Sequence, residues 1–241
     1  MASKSEVGHN KNVANYSAAY TILEEMGDLY NPTNTTITLE GLLPLKATLA
    51  TQINQLDATM ATYRAEVADK ENTINQMDKK ATKINNHFKS LDVPENEKEN
   101  IASQVKKIRG DGKKKTPKNP EQEDDNTIST SHQSFDSKVA NFNTLIAQLE
   151  KFTEYAPNED EITIVTLKSY TEQLAIINES VHAAGDALIT ARAARNNTLY
   201  FSNPHILGLM KNIKPYVRSL GQPAEPYYKA LVRLKFVNIK K

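Results

Sequence analysis

The 241-residue sequence contains no cysteine and no tryptophan, and it has only eight glycines and ten prolines. The absence of cysteine excludes disulfides, thiolate metal sites and cysteine nucleophiles. So few glycines and prolines argue against an all-β chain, which needs many turns. Charges of the two signs almost balance, with 30 Lys and Arg against 29 Asp and Glu. The net charge of +1 excludes a general attraction to nucleic acid or membrane, so any such attraction must come from local patches.

Long apolar runs are also missing. The polar start, residues 1–12, lacks the apolar stretch of a secretion signal. No window of the sequence approaches the roughly 18 charge-poor apolar residues that a membrane span needs. We therefore expect a protein without a membrane span.

One long segment carries an apolar stripe. Residues 45–91 contain neither glycine nor proline, and apolar residues recur there at alternating spacings of three and four. This period is typical of coiled-coil helices, and at 1.5 Å per residue it predicts a helix on the order of 70 Å long. A second stripe begins at Leu167 and meets Pro204, where the helix must bend or break. Thr38 and Thr163 are candidate N-caps before the two stripes.

The sequence repeats itself. VANY at 13–16 returns as VANF at 139–142, and each half has a short, a long and a short helical pattern. We predict an all-α fold, an elongated helical bundle with long coiled-coil-like helices built from two tandem repeats of this three-helix unit, and we expect the two long helices to pack together. The polar stretch between the halves cannot bury enough apolar surface to order itself. The predicted domains are a disordered N-terminus (1–9), helical repeat 1 (10–109), a flexible charged linker (110–135) and helical repeat 2 (136–241).

Two cations interrupt the apolar stripes. Lys70 and Arg195 occupy corresponding positions, 125 residues apart. They form either a paired cationic site for an acidic group or a polar layer that fixes helix register, with their stems lying along the edge of the stripe. If the second interpretation holds, Lys70→Leu and Arg195→Leu raise the melting temperature without abolishing folding. A large loss of stability would indicate buried acidic partners.

Charge is unevenly spread along the second half. Residues 119–186 contain 13 acidic and 3 basic side chains, whereas residues 187–241 contain 10 basic side chains and Glu225 alone. The candidate interaction surface comprises Lys211, Lys214, Arg218, Tyr227, Tyr228, Lys229, Arg233 and Lys235. Such a surface suits head-to-tail self-association of basic and acidic regions. It also suits nucleic acid, with tyrosines stacking on bases. A third possibility is that antiparallel helices of this half neutralise each other.

No catalytic constellation is visible. The five histidines lack metal-ligand spacing, His9 lies in an expected coil, and no glycine-rich phosphate loop occurs. We therefore predict no enzyme, no catalytic, cofactor or metal residues, and no small-molecule substrate. The predicted function is a structural or assembly protein that acts through helical surfaces and associates with itself. The alternatives are a nucleic-acid-binding helical protein and a helical toxin or injected-complex subunit, although no apolar hairpin for membrane insertion is visible.

Short motifs carry a resemblance to a known group. They are HNKNVANY at 9–16, LYNP at 29–32 and RSLG at 218–221. With these motifs the chain resembles uncharacterised all-helical tandem-repeat proteins of Bacteroidetes bacteria. The resemblance implies a cytoplasmic bacterial protein and supplies no activity, substrate or site residue.

Overall fold

The protein is all-α, as predicted. The computed structural model describes residues 4–110 and 134–238, which contain seven α-helices and no strand. The helices are α1 (Lys4–Glu25), α2 (Leu39–Lys89), α3 (Glu95–Arg109), α4 (Phe135–Leu149), α5 (Ile164–Asn196), α6 (Ile206–Ser219) and α7 (Glu225–Arg233). Nearly all of the predicted linker, 110–135, lies outside the described residues. At its two borders, Gly110 ends α3 in the left-handed conformation and the Ser134 side chain caps α4.

The two long helices begin with the same cap. The Thr38 hydroxyl accepts a hydrogen bond from the Gly41 backbone N–H at 3.1 Å. The Thr163 hydroxyl accepts one from the Thr166 N–H at 3.4 Å. Both bonds satisfy an N–H group that the first helical turn leaves without a backbone partner. The predicted N-caps of α2 and α5 are confirmed.

The chain folds into two compact units. The first contains the described residues up to 63 and from 184 onwards, and the second contains those from 64 to 183. Helices α2 and α5 each contribute one part to each unit. The units therefore do not coincide with the predicted repeats, 10–109 and 136–241. The physical reason is that segments of one long helix bury their stripes against segments of the other half.

The prediction of a disordered N-terminus is wrong for residues 4–9, because helix α1 already begins at Lys4. His9, expected in a coil, is a buried helical residue. Its ring nitrogen Nδ1 lies 2.8 Å from the Tyr200 hydroxyl. This contact with Tyr200, 191 residues later in the chain, holds the polar start of α1 in the tertiary structure.

The core of the first unit lies between α1, α6, α7 and the start of α2. Its fully buried members include Tyr16, Leu23, Leu42, Leu49, Ile206, Ile213 and Val217. The Tyr16 hydroxyl donates to the Leu42 carbonyl oxygen at 2.9 Å, which ties α1 to α2. A smaller cluster joins the rest of α2 to α5 in this unit, with Leu56, Leu188 and Ala191 buried.

The core of the second unit lies between α3, α4, the end of α2 and the start of α5. Its fully buried members include Met77, Ile84, Phe88, Ile101, Ile108, Phe142, Leu145, Leu167 and Leu174. The Tyr170 hydroxyl of α5 donates to the Thr73 carbonyl oxygen of α2 at 2.6 Å. The expected packing of the two long helices is thus present inside this unit as well.

The predicted break near Pro204 is confirmed, since α5 ends at Asn196 and α6 begins at Ile206. A π-helix, Asn197–Phe201, follows α5 directly. Side chains compensate the disturbed backbone ladder: the Ala194 carbonyl accepts from Gln52 Nε2 at 3.3 Å and from Thr198 Oγ1 at 3.4 Å. A π-turn adds a residue to a helical turn, so the regular spacing of the α5 stripe ends at this point.

Candidate interaction surface

All eight residues of the predicted interaction surface lie in the first unit, on α6, α7 and the segment that follows. Lys211, Lys214 and Arg218 share one face of α6 because they are three and four residues apart. Lys211 and Arg218 are exposed, whereas Lys214 is half-buried. Helix α6 therefore presents two exposed cations and holds a third closer to the core.

Helix α7 and its C-terminal extension add three exposed cations, Lys229, Arg233 and Lys235. Lys229 Nζ lies 3.2 Å from Glu225 Oε1, one helical turn earlier. Within residues 4–110 and 134–238, the other exposed cations of this surface take part in no ion pair. We call the five exposed cations the basic face: Lys211, Arg218, Lys229, Arg233 and Lys235.

The remaining predicted residues are engaged inside the unit. Lys214 Nζ donates to the Leu234 carbonyl oxygen at 2.9 Å, and burial lowers its pKa. The Tyr228 ring lies 5.9 Å from the Arg218 guanidinium carbon, and the Tyr227 hydroxyl donates to the Glu25 carbonyl oxygen at 3.4 Å. These three side chains support the basic face and are less available to a partner.

Two asparagines of α1 attach the segment after α7. Asn12 Nδ2 donates to the Val237 carbonyl oxygen at 2.7 Å, and Asn12 Oδ1 accepts from the Val237 N–H at 3.0 Å. Asn15 Nδ2 donates to the Lys235 carbonyl oxygen at 2.9 Å. An amide side chain that pairs with both groups of one residue holds the backbone much as a neighbouring strand does. The position of Lys235 therefore depends on α1.

A buried polar cluster lies beneath this attachment. The Tyr200 hydroxyl accepts a hydrogen bond from Asn12 Nδ2 at 2.9 Å and also contacts His9. Burial raises the pKa of Tyr200, and the Asn12 bond and the Arg195 charge offset part of that rise. His9 and Asn12 were not predicted from the sequence as structural residues. The available signal was their spacing with Tyr16, which places polar side chains on the apolar face of a helix, where they need buried partners.

Lys70 and Arg195 lie in different units, each with its own contacts. Lys70 Nζ donates to Asn178 Oδ1 at 2.5 Å and lies 3.9 Å from the centre of the Phe135 ring. Arg195 is 1% exposed, and its Nε and Nη2 donate to Asn196 Oδ1 at 3.1 and 3.0 Å. Lys70 thus bonds to an amide of the other long helix, whereas these two bonds of Arg195 stay within α5.

Two further properties concern the part of the chain that the structure describes. No three histidine, aspartate or glutamate side chains there come together as a metal site. No helix there combines the length and the apolar character that crossing a membrane requires. Comparisons with protein-family models, with curated proteins and with solved structures gave no match.

Proposed function

We propose that this chain is a non-enzymatic assembly protein that associates with copies of itself through exposed helical surfaces. The proposal depends on the basic face. Among the described residues, Lys229 is the one member of this face that has an ion-pair partner. Residues 134–186 contain nine acidic and three basic side chains. A second copy therefore offers the complementary charge, which directs association and fixes its orientation.

The tyrosines favour self-association over nucleic acid as the function of the basic face. Base stacking needs an aromatic ring with an open face. Tyr228 lies against Arg218, and the hydroxyl of Tyr227 is bonded to helix α1. Nucleic acid would then contact the cations alone, with no sequence preference and with a steep dependence on salt.

The long helices support a structural role. Helix α2 has 51 residues, which corresponds to about 75 Å of helix, and its buried residues pack against those of α5 in each unit. We also attribute this architecture to a tandem duplication. In support, the Tyr30 hydroxyl donates to the Ile37 carbonyl at 2.5 Å, and the Tyr155 hydroxyl donates to the Ile162 carbonyl at 2.8 Å, 125 residues later.

The test is the native mass at two salt concentrations. Light scattering in about 50 mM salt is expected to give a mass well above the 26.9 kDa of one chain. In about 500 mM salt, where exposed charges are screened within a few ångströms, the mass should fall towards that value. A monomer under both conditions contradicts the proposal.

A gel-shift assay with single- and double-stranded DNA at low salt tests the alternative. A monomer that shifts DNA with a steep salt slope would favour nucleic-acid binding through the basic face. No shift at low salt, together with a salt-sensitive oligomer, would favour self-association.

A further inference from the structure

An exposed stripe on α5 combines apolar and acidic side chains. Its five residues, called the acidic stripe, are Val165, Ser169, Glu172, Ile176 and Glu179. Their spacings of four, three, four and three place them on one helix face. Val165 is 76% exposed and Ile176 is 63% exposed. The opposite face of α5 is buried in the core of the second unit.

The acidic stripe has no counter-charge of its own. Within the described ranges, neither Glu172 nor Glu179 takes part in an ion pair. The nearby Lys168 has its Nζ 2.5 Å from Glu150 Oε1. No lysine or arginine occurs in α5 between Lys168 and Arg192. Single exposed apolar side chains are ordinary on protein surfaces. Here Val165 and Ile176 share one helix face with two carboxylates, and Ile176 lies between Glu172 and Glu179, which matches the pattern of a helix-pairing surface.

Helix α7 presents the complementary pattern. Lys229, Val232 and Arg233 are three and four residues apart on one exposed face, which we call the basic turn. Val232 is 46% exposed. The ion pair of Lys229 with Glu225 is exposed on both sides, and such pairs are weak and readily exchanged.

We infer that the acidic stripe of one copy docks on the basic turn of a second copy. Ile176 then contacts Val232, while the two glutamates, about 10 Å apart along the helix, contact Arg233 and Lys229. This inference rests on the self-association proposed above and names its surfaces. Because the two surfaces differ, each copy binds one neighbour through the stripe and another through the turn, which gives a ring or an open chain of copies.

Two charge-reversed variants test the docking. Glu172→Lys with Glu179→Lys makes the stripe basic, and Lys229→Glu with Arg233→Glu makes the turn acidic. Each variant alone is expected to be monomeric in sedimentation velocity at low salt. An equimolar mixture is expected to associate again, because each surface then meets a surface of opposite charge. Circular dichroism checks that the helix content is unchanged.

The control for net charge is Glu71→Lys with Glu99→Lys, which reverses two exposed carboxylates of the same unit. It is expected to associate like the wild type. The control for the apolar contact is Ile189→Ser, since Ile189 is 64% exposed but lies on another face of α5. Ile176→Ser is expected to weaken association by about tenfold or more, and Ile189→Ser is expected to leave it unchanged.

The outcomes separate the two proposals. If the wild type is monomeric at both salt concentrations, the proposed function fails, and the docking inference fails with it. If the wild type associates but the mixture of reversed variants does not, self-association stands and these surfaces are wrong. Equal losses in Glu71→Lys/Glu99→Lys and in the stripe variant would also overturn the inference, because net charge alone would then explain the effect.

Discussion

Replacing Asn12 by alanine tests how the C-terminal segment is held. The Asn12 side chain is 0% exposed, and its amide makes three hydrogen bonds. Nδ2 donates to the Tyr200 hydroxyl and to the Val237 carbonyl oxygen, and Oδ1 accepts from the Val237 N–H. Alanine removes all three and leaves buried polar groups without these partners.

The expected loss follows from those bonds. Each contributes about 1 kcal/mol net, and unsatisfied buried groups add to the cost, so Asn12→Ala should lower the free energy of unfolding by about 3 kcal/mol. Asn15→Ala is the matched control on the same helix. It removes a single exposed bond to the Lys235 carbonyl oxygen and should cost about 0.5 to 1 kcal/mol.

Urea unfolding followed by circular dichroism measures both losses, and hydrogen exchange by mass spectrometry shows where they act. Faster exchange in peptides that contain the Val237 amide is expected for Asn12→Ala, because that N–H loses its acceptor. Equal losses for Asn12→Ala and Asn15→Ala, with unchanged exchange at Val237, would refute the reasoning.

Other contacts give three more expectations. Lys70→Leu should change the free energy of unfolding by less than about 1 kcal/mol, since Lys70 is half-buried. Arg195→Leu, against the rise in melting temperature that the sequence led us to expect, should lower it by about 2 kcal/mol or more, because two charge-assisted hydrogen bonds to Asn196 are lost. Urea unfolding compares the two, and a stabilised Arg195→Leu would contradict this. Burial raises the pKa of Tyr155, so its contribution to stability is full below about pH 10 and is lost as pH rises further. Between pH 9 and 11 the wild type should lose about 1.4 kcal/mol more in total than Tyr155→Phe, and parallel curves would exclude the effect. Residues 1–122 and 123–241 expressed as separate chains should each fold poorly and recover the wild-type circular dichroism when mixed, because each unit needs both; cooperative unfolding of either piece alone would disprove this.

Local signals predicted much of the fold. The period of the apolar stripes predicted both long helices. The residues of the first stripe, which recur at spacings of three and four from Leu49 to Leu91, are all buried or half-buried. Thr38 and Thr163 identified the helix starts, and Pro204 identified the break. These features depend on neighbours within one or two helical turns, so a single sequence contains them in full.

Long-range partners were beyond local signals. The sequence predicted that the two long helices pack together, but local signals did not show that each unit would take parts of both predicted repeats. Local signals predicted a coil at His9, because its partner, Tyr200, is 191 residues away. For the same reason, the candidate surface was predicted with Lys214 as a contact residue, although its amine is bonded to the Leu234 carbonyl oxygen.

The two units suggest where this molecule has specialised after the duplication that we propose. Each unit joins the first short helix of one half to the last short helix of the other half. Under the proposed duplication, corresponding positions of the two halves therefore occupy equivalent places in the two units. The positions that keep their chemistry maintain the fold, namely Tyr30 and Tyr155, Thr38 and Thr163, and Thr73 and Thr198. The positions 9 and 12 differ from their counterparts 135 and 138, and only the first unit uses them to attach a C-terminal segment. That segment carries Lys235 of the basic face, so the divergence at positions 9 and 12 accompanies the basic face of the first unit.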